Sequence, residues 1–185
     1  MASPQQLQFL QNAFTAASQA KHPFPDAAAC ESALESSWGT SESVSEGNNL
    51  LGIKAPSWWQ GGTFVEPTKE QSGDDIYVDP NATWSTFASW VECFRCQVEI
   101  LNRNPIYEEA LAAPDATTYI QQVSAEWQET DKPVDKSWVF EFDGKNYLWV
   151  KTRWSTGHSR AYTVLEIWNA HHASLVSPTV PTKIA

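Results

Sequence analysis

At 185 residues and 20.7 kDa the chain is long enough for one domain with a real core. Hydrophobic content of 42% with 18% charged residues excludes a disordered segment. A net charge of −10, from 12 basic and 22 acidic residues, excludes a nucleic-acid binder and a protein that clings to anionic membranes.

No stretch approaches the ~20 consecutive apolar residues of a membrane span. Met1-Ala2-Ser3-Pro4-Gln5 lacks the basic and apolar regions of a signal peptide. Cys30, Cys93 and Cys96 are an odd set, a poor disulfide framework. Cys93 and Cys96 have CxxC spacing, but they fall within a predicted helix, and no histidine sits at finger spacing. No metal and no cofactor is therefore expected.

In chain order, Pro4–Ala20 predicts a first helix, with Leu7, Leu10, Phe14 and Ala17 at three- and four-residue steps. After a turn at 21–25, Asp26–Trp38 predicts a second helix, with Asp26 as N-cap and Gly39 as stop. Glu35 sits on its last turn beside Trp38. A helix C-terminus and a neighbouring indole are both unfavourable surroundings for a carboxylate's charge. An acid that keeps its proton can protonate a leaving sugar oxygen. By position alone, Glu35 reads first as a solvated surface glutamate, as most Glu residues are. Glu31, one turn earlier, is the weaker candidate on the same face.

Thr40–Gly47 is a polar loop, and Asn48–Ala55 a turn followed by extended chain. The two stretches Ala33-Leu34-Glu35-Ser36-Ser37-Trp38-Gly39 and Asn48-Asn49-Leu50-Leu51-Gly52-Ile53-Lys54 resemble the glucosaminidase domain of glycoside hydrolase family 73. Bacterial autolysins, flagellar rod-associated hydrolases and some phage endolysins belong to that family. The departures from its pattern here are Ser37 for Gly and Leu51 for Phe.

The resemblance implies an α+β, mostly helical, lysozyme-like fold with a small β-lobe at about 48–82. It implies cleavage of β-1,4 linkages after N-acetylglucosamine in peptidoglycan glycan strands, an endo-β-N-acetylglucosaminidase without metal or cofactor. It places the acid at Glu35. Through Thr68-Lys69-Glu70 it places a second carboxylate at Glu70, with Glu66 as the rival. Asn49 and Lys54 are then candidate substrate contacts, although paired Asn residues in a tight loop also bond backbone.

Thr63–Val65 begins a strand after a turn at Trp58-Trp59-Gln60-Gly61-Gly62. Ten Trp residues are a heavy load, and sugar rings stack their C–H faces on indoles. Trp58, Trp59 and Trp84 are the expected cleft-wall residues. Ser89–Arg103 is a helix with the apolar stripe Trp90, Cys93, Phe94, Val98 and Leu101. Arg103-Asn104-Pro105-Ile106-Tyr107 matches the family and reads as a structural corner. Glu108–Ala113 and Thr117–Trp127 are two more helices. Val139–Val150, two β-rich runs around Asp143-Gly144, predicts an inserted hairpin.

Trp154-Ser155-Thr156-Gly157-His158 stands where the family has a functional Tyr, so an indole takes its place, or Tyr147 or Tyr162 reaches in. Trp154, His158 and Tyr162 complete the candidate binding residues. Arg160–Ala173 is the last helix, and 175–185 a loose tail after a single domain at 1–174. The expected setting is the bacterial wall, periplasmic or extracellular, reached by a holin, a secretion machine or a removed signal, with the protein a monomer. The rival functions are a muramidase or lytic transglycosylase of the same fold, and a non-catalytic glycan-binding domain.

Overall fold

Helix α2, Pro25–Glu35, is the axis of the fold. Its sequence PDAAACESALE is short-chained on nearly every side, and Ala27 to Ala33 are all buried. Small side chains let other helices approach closely all round it, and α1 (Pro4–Gln19), α6 (Ala116–Ser124) and α7 (Arg160–Val176) pack against it. The computed structural model describes residues 2–72, 75–134, 139–142, 144–154 and 159–176, and side chains at all of these except 70–72, 75, 76, 140, 142 and 176.

Ser3 caps α1 through a capping box, its hydroxyl accepting from the Gln6 amide while the Gln6 side chain accepts from the Ser3 amide. The buried stripe of α1 is Phe9, Leu10, Ala13, Ala16 and Ala17, rotated slightly from the predicted one. Asp26 is not the N-cap of α2. Phe24 stands there without a side-chain bond, Pro25 opens the helix, and Asp26 accepts from the Trp168 indole of α7 at 2.9 Å.

After α2 the chain turns through three positive-φ residues, Ser37, Trp38 and Gly39. Gly39 is required twice over: φ is +81°, and a Cβ would stand 2.7 Å from the Phe9 ring. Thr40–Gly47 is not wholly loop, since Glu42–Gly47 forms the short helix α3. Asn48 closes it in the left-handed region and donates to the Phe87 carbonyl.

The β-lobe holds two antiparallel pairs. Strands β1 (Thr63–Val65) and β4 (Thr83–Ser85) align Phe64 with Trp84, while β2 (Thr68–Ser72) and β3 (Asp75–Asp79) form a hairpin with Glu70 opposite Tyr77. Helix α4, Trp90–Arg103, is capped by Ser89 and buries Cys93, Phe94, Cys96, Gln97 and Leu101. A 3-10 turn at Pro105–Tyr107 and the short α5 (Glu108–Leu111) follow.

The predicted helix Thr117–Trp127 is cut short. Helix α6 ends at Ser124, and β5 (Ala125–Glu129) continues the chain. β5 pairs with β7 (Lys145–Thr152), which also pairs with β6 (Val139–Phe142), in the order β5-β7-β6. The inserted hairpin is therefore two strands of a three-stranded sheet.

The three cysteines are free and buried, and burial pushes the thiols of Cys93 and Cys96 up to about 12. They are packing groups. No His/Cys/Asp/Glu cluster suited to a metal ion, and no helix long and apolar enough to cross a membrane, occurs among the described residues.

His22 lies where α1 turns into α2. Its Nδ1 accepts from the Phe24 amide, and its ring meets Tyr119 edge-on. Burial pulls it down to about 4 from 6.5, against a smaller opposing effect of the Phe24 bond. Above about pH 6.5 both folded and unfolded chains hold it neutral. As pH falls from there towards 4, the unfolded chain takes up a proton that the folded chain refuses, so stability falls. The expected loss is about 3 kcal/mol, complete near pH 4. Urea melts at pH 7 and pH 4 check it. The His22→Asn variant keeps an acceptor for Phe24 and should escape that share of the loss. Equal losses in both proteins would assign the acid sensitivity elsewhere.

Candidate active site

Glu35 ends α2 at the floor of a cleft of about 590 Å³, a size suited to a small ligand or a few sugar rings. The β-lobe supplies one wall, with Lys54, Glu66 and Trp84. The helical side supplies the other, with Ile100 of α4 and Tyr107 of the 3-10 turn. The end of β7 and the chain beyond it close the cleft with Thr152, Arg153 and Trp154. The inserted sheet thus borders the cleft.

The Glu35 side chain is 20% exposed, and its Oε1 accepts from Arg160 Nε at 2.7 Å. Trp38 does not shield it. The positive-φ turn carries that indole against Phe9 and His171, and the group beside the carboxylate is a guanidinium. Arg160, the first residue of α7, is 4% exposed. Its Nη1 donates to Ser124 Oγ at 2.9 Å and stands 3.6 Å from Glu31 Oε1.

Glu31 is fully buried, so it does not reach the cleft. Its Oε2 accepts from Gln97 Nε2 at 2.7 Å, and burial pushes its carboxyl up against the pull of Arg160 and Gln97. Glu31 Oε1, Gln97 Oε1 and Arg160 Nη2 are buried without hydrogen-bond partners among the described residues. Nothing local in the sequence singles out Arg160. The signal was confined to one cation at a helix start, 125 residues from the acid.

Asn49 is not a substrate contact. It is fully buried, its Nδ2 donates to the carbonyls of Ile53 and Ser85, and its Oδ1 accepts from the Ile53 amide. Two of these bonds close the 49–53 turn and the third ties it to β4. That turn includes Gly52 at φ +58°, which brings the backbone into the cleft beside the Trp84 ring.

Trp84 is steered into the cleft by its indole N–H, which donates to the Glu66 carbonyl at 3.0 Å. Lys54 bridges to Trp84 through the backbone and holds its Nζ 5.8 Å from the ring centroid. Trp58 and Trp59 do not line the cleft. Trp58 stacks on the Arg103 guanidinium at 4.7 Å, and Trp59 packs on Phe87 at 5.1 Å and donates to the Gly62 carbonyl. Both rings are engaged by protein outside the cleft lining.

Trp154 lines the cleft with its ring 6.0 Å from Tyr107. Tyr107 is more than a corner residue: it lines the cleft while donating to the Arg153 carbonyl, and burial pushes its phenol up to about 12. Tyr162 is turned along α7 to donate to Glu166 at 2.7 Å, outside the cleft lining. Tyr147 stands mid-strand on β7 opposite Glu129 and Phe140. His158 lies outside the described residues, as does the Glu70 side chain, whose backbone belongs to β2.

The family model Glucosaminidase, described as mannosyl-glycoprotein endo-beta-N-acetylglucosaminidase, matches residues 11–139. The peptidoglycan hydrolase FlgJ of Vibrio cholerae is 34% identical over 84 residues, covering 44% of this chain and 25% of that protein. Escherichia coli FlgJ is 30% identical over 106 residues, 55% of this chain and 33% of that protein. The chain thus spans a quarter to a third of the length of these relatives. Among solved structures, the catalytic domain of the autolysin Auto from Listeria monocytogenes superposes with a TM-score of 0.65 at 20% identity, covering 93% of this chain and 87% of that one. A glycoside hydrolase domain of Salmonella typhimurium FlgJ superposes at 0.56 with 19% identity, covering 91% and 98%. At these identities the structural likeness is one of fold.

Proposed function

Because the chain belongs to the glucosaminidase family, we propose that it is a peptidoglycan hydrolase cleaving β-1,4 linkages after N-acetylglucosamine. The observation that carries this reading is the placement of Glu35 at the floor of an open cleft, one carboxylate oxygen fixed by Arg160. No contact engages the other oxygen among the described residues. Glu35 gives a proton to the glycosidic oxygen as the bond from C1 breaks, so the leaving sugar departs as an alcohol. A water adds its hydroxyl to C1, and its proton passes to a carboxylate. Glu70 is that second carboxylate, activating the water or assisting attack by the substrate's own N-acetyl group. The protein acts as a monomer at the bacterial cell wall.

Mass spectrometry of purified peptidoglycan after digestion tests the bond. New reducing ends on N-acetylglucosamine are expected. Reducing ends on muramic acid would make the chain a muramidase, anhydro ends a lytic transglycosylase, and no new ends a glycan-binding domain.

Trp84 and Trp154 are the sugar platforms of this reading, and Lys54 contacts a polar edge of the glycan. Trp84→Ala should weaken chitooligosaccharide binding about tenfold, the scale of one aromatic contact at ~1.4 kcal/mol. Trp59→Ala should leave that affinity unchanged and lower stability by about 3 kcal/mol, because its ring is part of the packing on Phe87. Isothermal titration and thermal melts of both variants check this. Equal loss of affinity in both would return Trp59 to the cleft wall.

A further inference from the structure

We infer that Arg160 is a positioning residue for Glu35, and that the buried Glu31 is its second partner, holding the guanidinium charge paired when Glu35 carries the proton. The inference rests on the reading of Glu35 as the acid.

The geometry is that of one cation shared by two carboxyls a helical turn apart. Glu31 and Glu35 lie four residues apart on α2, on one face. Arg160 enters between them from α7 and is almost wholly buried. It bonds Glu35 closely, at 2.7 Å, and Glu31 loosely, at 3.6 Å. A buried guanidinium left without a counter-charge is strongly unfavourable. When Glu35 takes up its proton, that charge must be balanced from behind; Glu31 is the carboxyl within reach, and although burial disfavours its charged form, Arg160 and Gln97 both act to favour it.

Other features of the cluster fit this use. Among the described residues, Glu31 Oε1, the oxygen facing Arg160, has no hydrogen-bond partner, and neither does Arg160 Nη2. A purely structural pair is normally closed by bonds on every donor and acceptor. Here the unused acceptor of Glu31 stands 3.6 Å from the guanidinium it would pair with more tightly. Gln97 fixes the far oxygen of Glu31, so the carboxyl is held in place while the guanidinium leans one way or the other.

The other titratable groups around the cluster do not take this part. Tyr119 of α6 and Tyr107 of the 3-10 turn are pushed up by burial and stay phenols through the working range, Tyr107 to about 12. His22, at the start of the turn after α1, is neutral above about 4. Arg153 is engaged by Glu109 and by the Gln122 carbonyl. Lys54, Lys69 and Glu66 stand on the far wall of the cleft.

Five proteins tested on sonicated, soluble peptidoglycan decide the matter: wild type, Arg160→Met, Glu31→Leu/Arg160→Met, Glu31→Gln and Glu35→Gln. Arg160→Met alone buries Glu31 without its cation and is expected to be unstable. The double variant removes both charges and should melt near wild type, since buried ion pairs are replaceable by apolar groups. Its kcat should nevertheless stay about 100-fold down, the cost of a misplaced acid, with KM within about twofold. Glu31→Gln should shift the basic limb of the pH–rate profile to lower pH, because protonated Glu35 then leaves the guanidinium unpaired.

Recovery of wild-type kcat in the double variant would overturn the inference and leave Arg160 as a neutraliser of Glu31. An unshifted profile in Glu31→Gln would overturn the part given to Glu31. An active wild type whose Glu35→Gln variant is equally active would sink the assignment of the acid, and this inference with it. Loss of activity in Glu35→Gln together with wild-type kcat in the double variant would keep Glu35 as the acid and overturn this inference alone.

Discussion

Glu35→Gln should keep the fold and lose hydrolysis by about 10²–10⁴-fold, the share general acid catalysis contributes to such reactions. The amide is nearly isosteric, and its oxygen can still accept from Arg160, so the α2–α7 junction keeps its charge-assisted bond. Only the transferable proton is removed, because an amide N–H does not ionise in the working range. Glu35 is partly exposed, so the substitution leaves no cavity in the core. The expected pattern is therefore an unchanged melting temperature and substrate affinity with kcat collapsed. Release of soluble muropeptides with time measures it. A variant retaining more than about a tenth of the rate has lost under ~1.4 kcal/mol of transition-state stabilisation, too little for the proton donor.

The elements of this site that rest on local rules were legible before the structure. Helix α2 follows from an Ala-rich run, but it ends at Glu35, three residues before the expected Trp38, and Gly39 belongs to the turn beyond it, required there by its φ and by Phe9. The β1 strand, α4 with its Asn-Pro stop, and the β6–β7 hairpin follow from alternation, periodicity and turn chemistry. The misses have tertiary causes. Tyr119, Ile120 and Val123 set a helical period that Trp127 appeared to continue. Pairing with β7 takes the chain into β5 instead, and Trp127 donates back to the Gln121 carbonyl at the end of α6.

Trp38 was placed beside Glu35 by helical extrapolation, but the turn at 37–39 leaves the helix first. The indoles of Trp58, Trp59 and Trp84 are chemically alike. Which of them line the cleft is decided by where Arg103, Phe87 and the Glu66 carbonyl lie. Arg160 is the largest omission. Its pairing with Glu31 and Glu35 exists only once α7 docks on α2, and no spacing rule links residues that far apart.

Glu70→Gln should slow turnover by about 10²-fold, less than Glu35→Gln, because water or the substrate's acetamido group partly substitutes for the carboxylate. The two acids under comparison, Glu66 and Glu70, flank the start of the same hairpin. Glu66 lines the cleft, and its backbone carbonyl anchors the Trp84 indole. Thr68 and Lys69 also line the cleft, and Glu70 follows Lys69 on β2. For Glu70 to share a water with Glu35 directly, the two carboxyls must come to about 6.5–9.5 Å of one another across the cleft. Closure of a lobe on its substrate is an ordinary way for a glycosidase to complete its site. Glu66, already at the wall, is expected to act on binding. Glu66→Gln should raise KM and leave kcat within about threefold, while Glu70→Gln should lower kcat and flatten the acid limb of the pH–rate profile. Parallel kinetics of the two variants on one peptidoglycan preparation separate the roles. If Glu66→Gln has the lower kcat, the second carboxylate is Glu66, and catalysis proceeds in the cleft as it stands, with no closure of the hairpin.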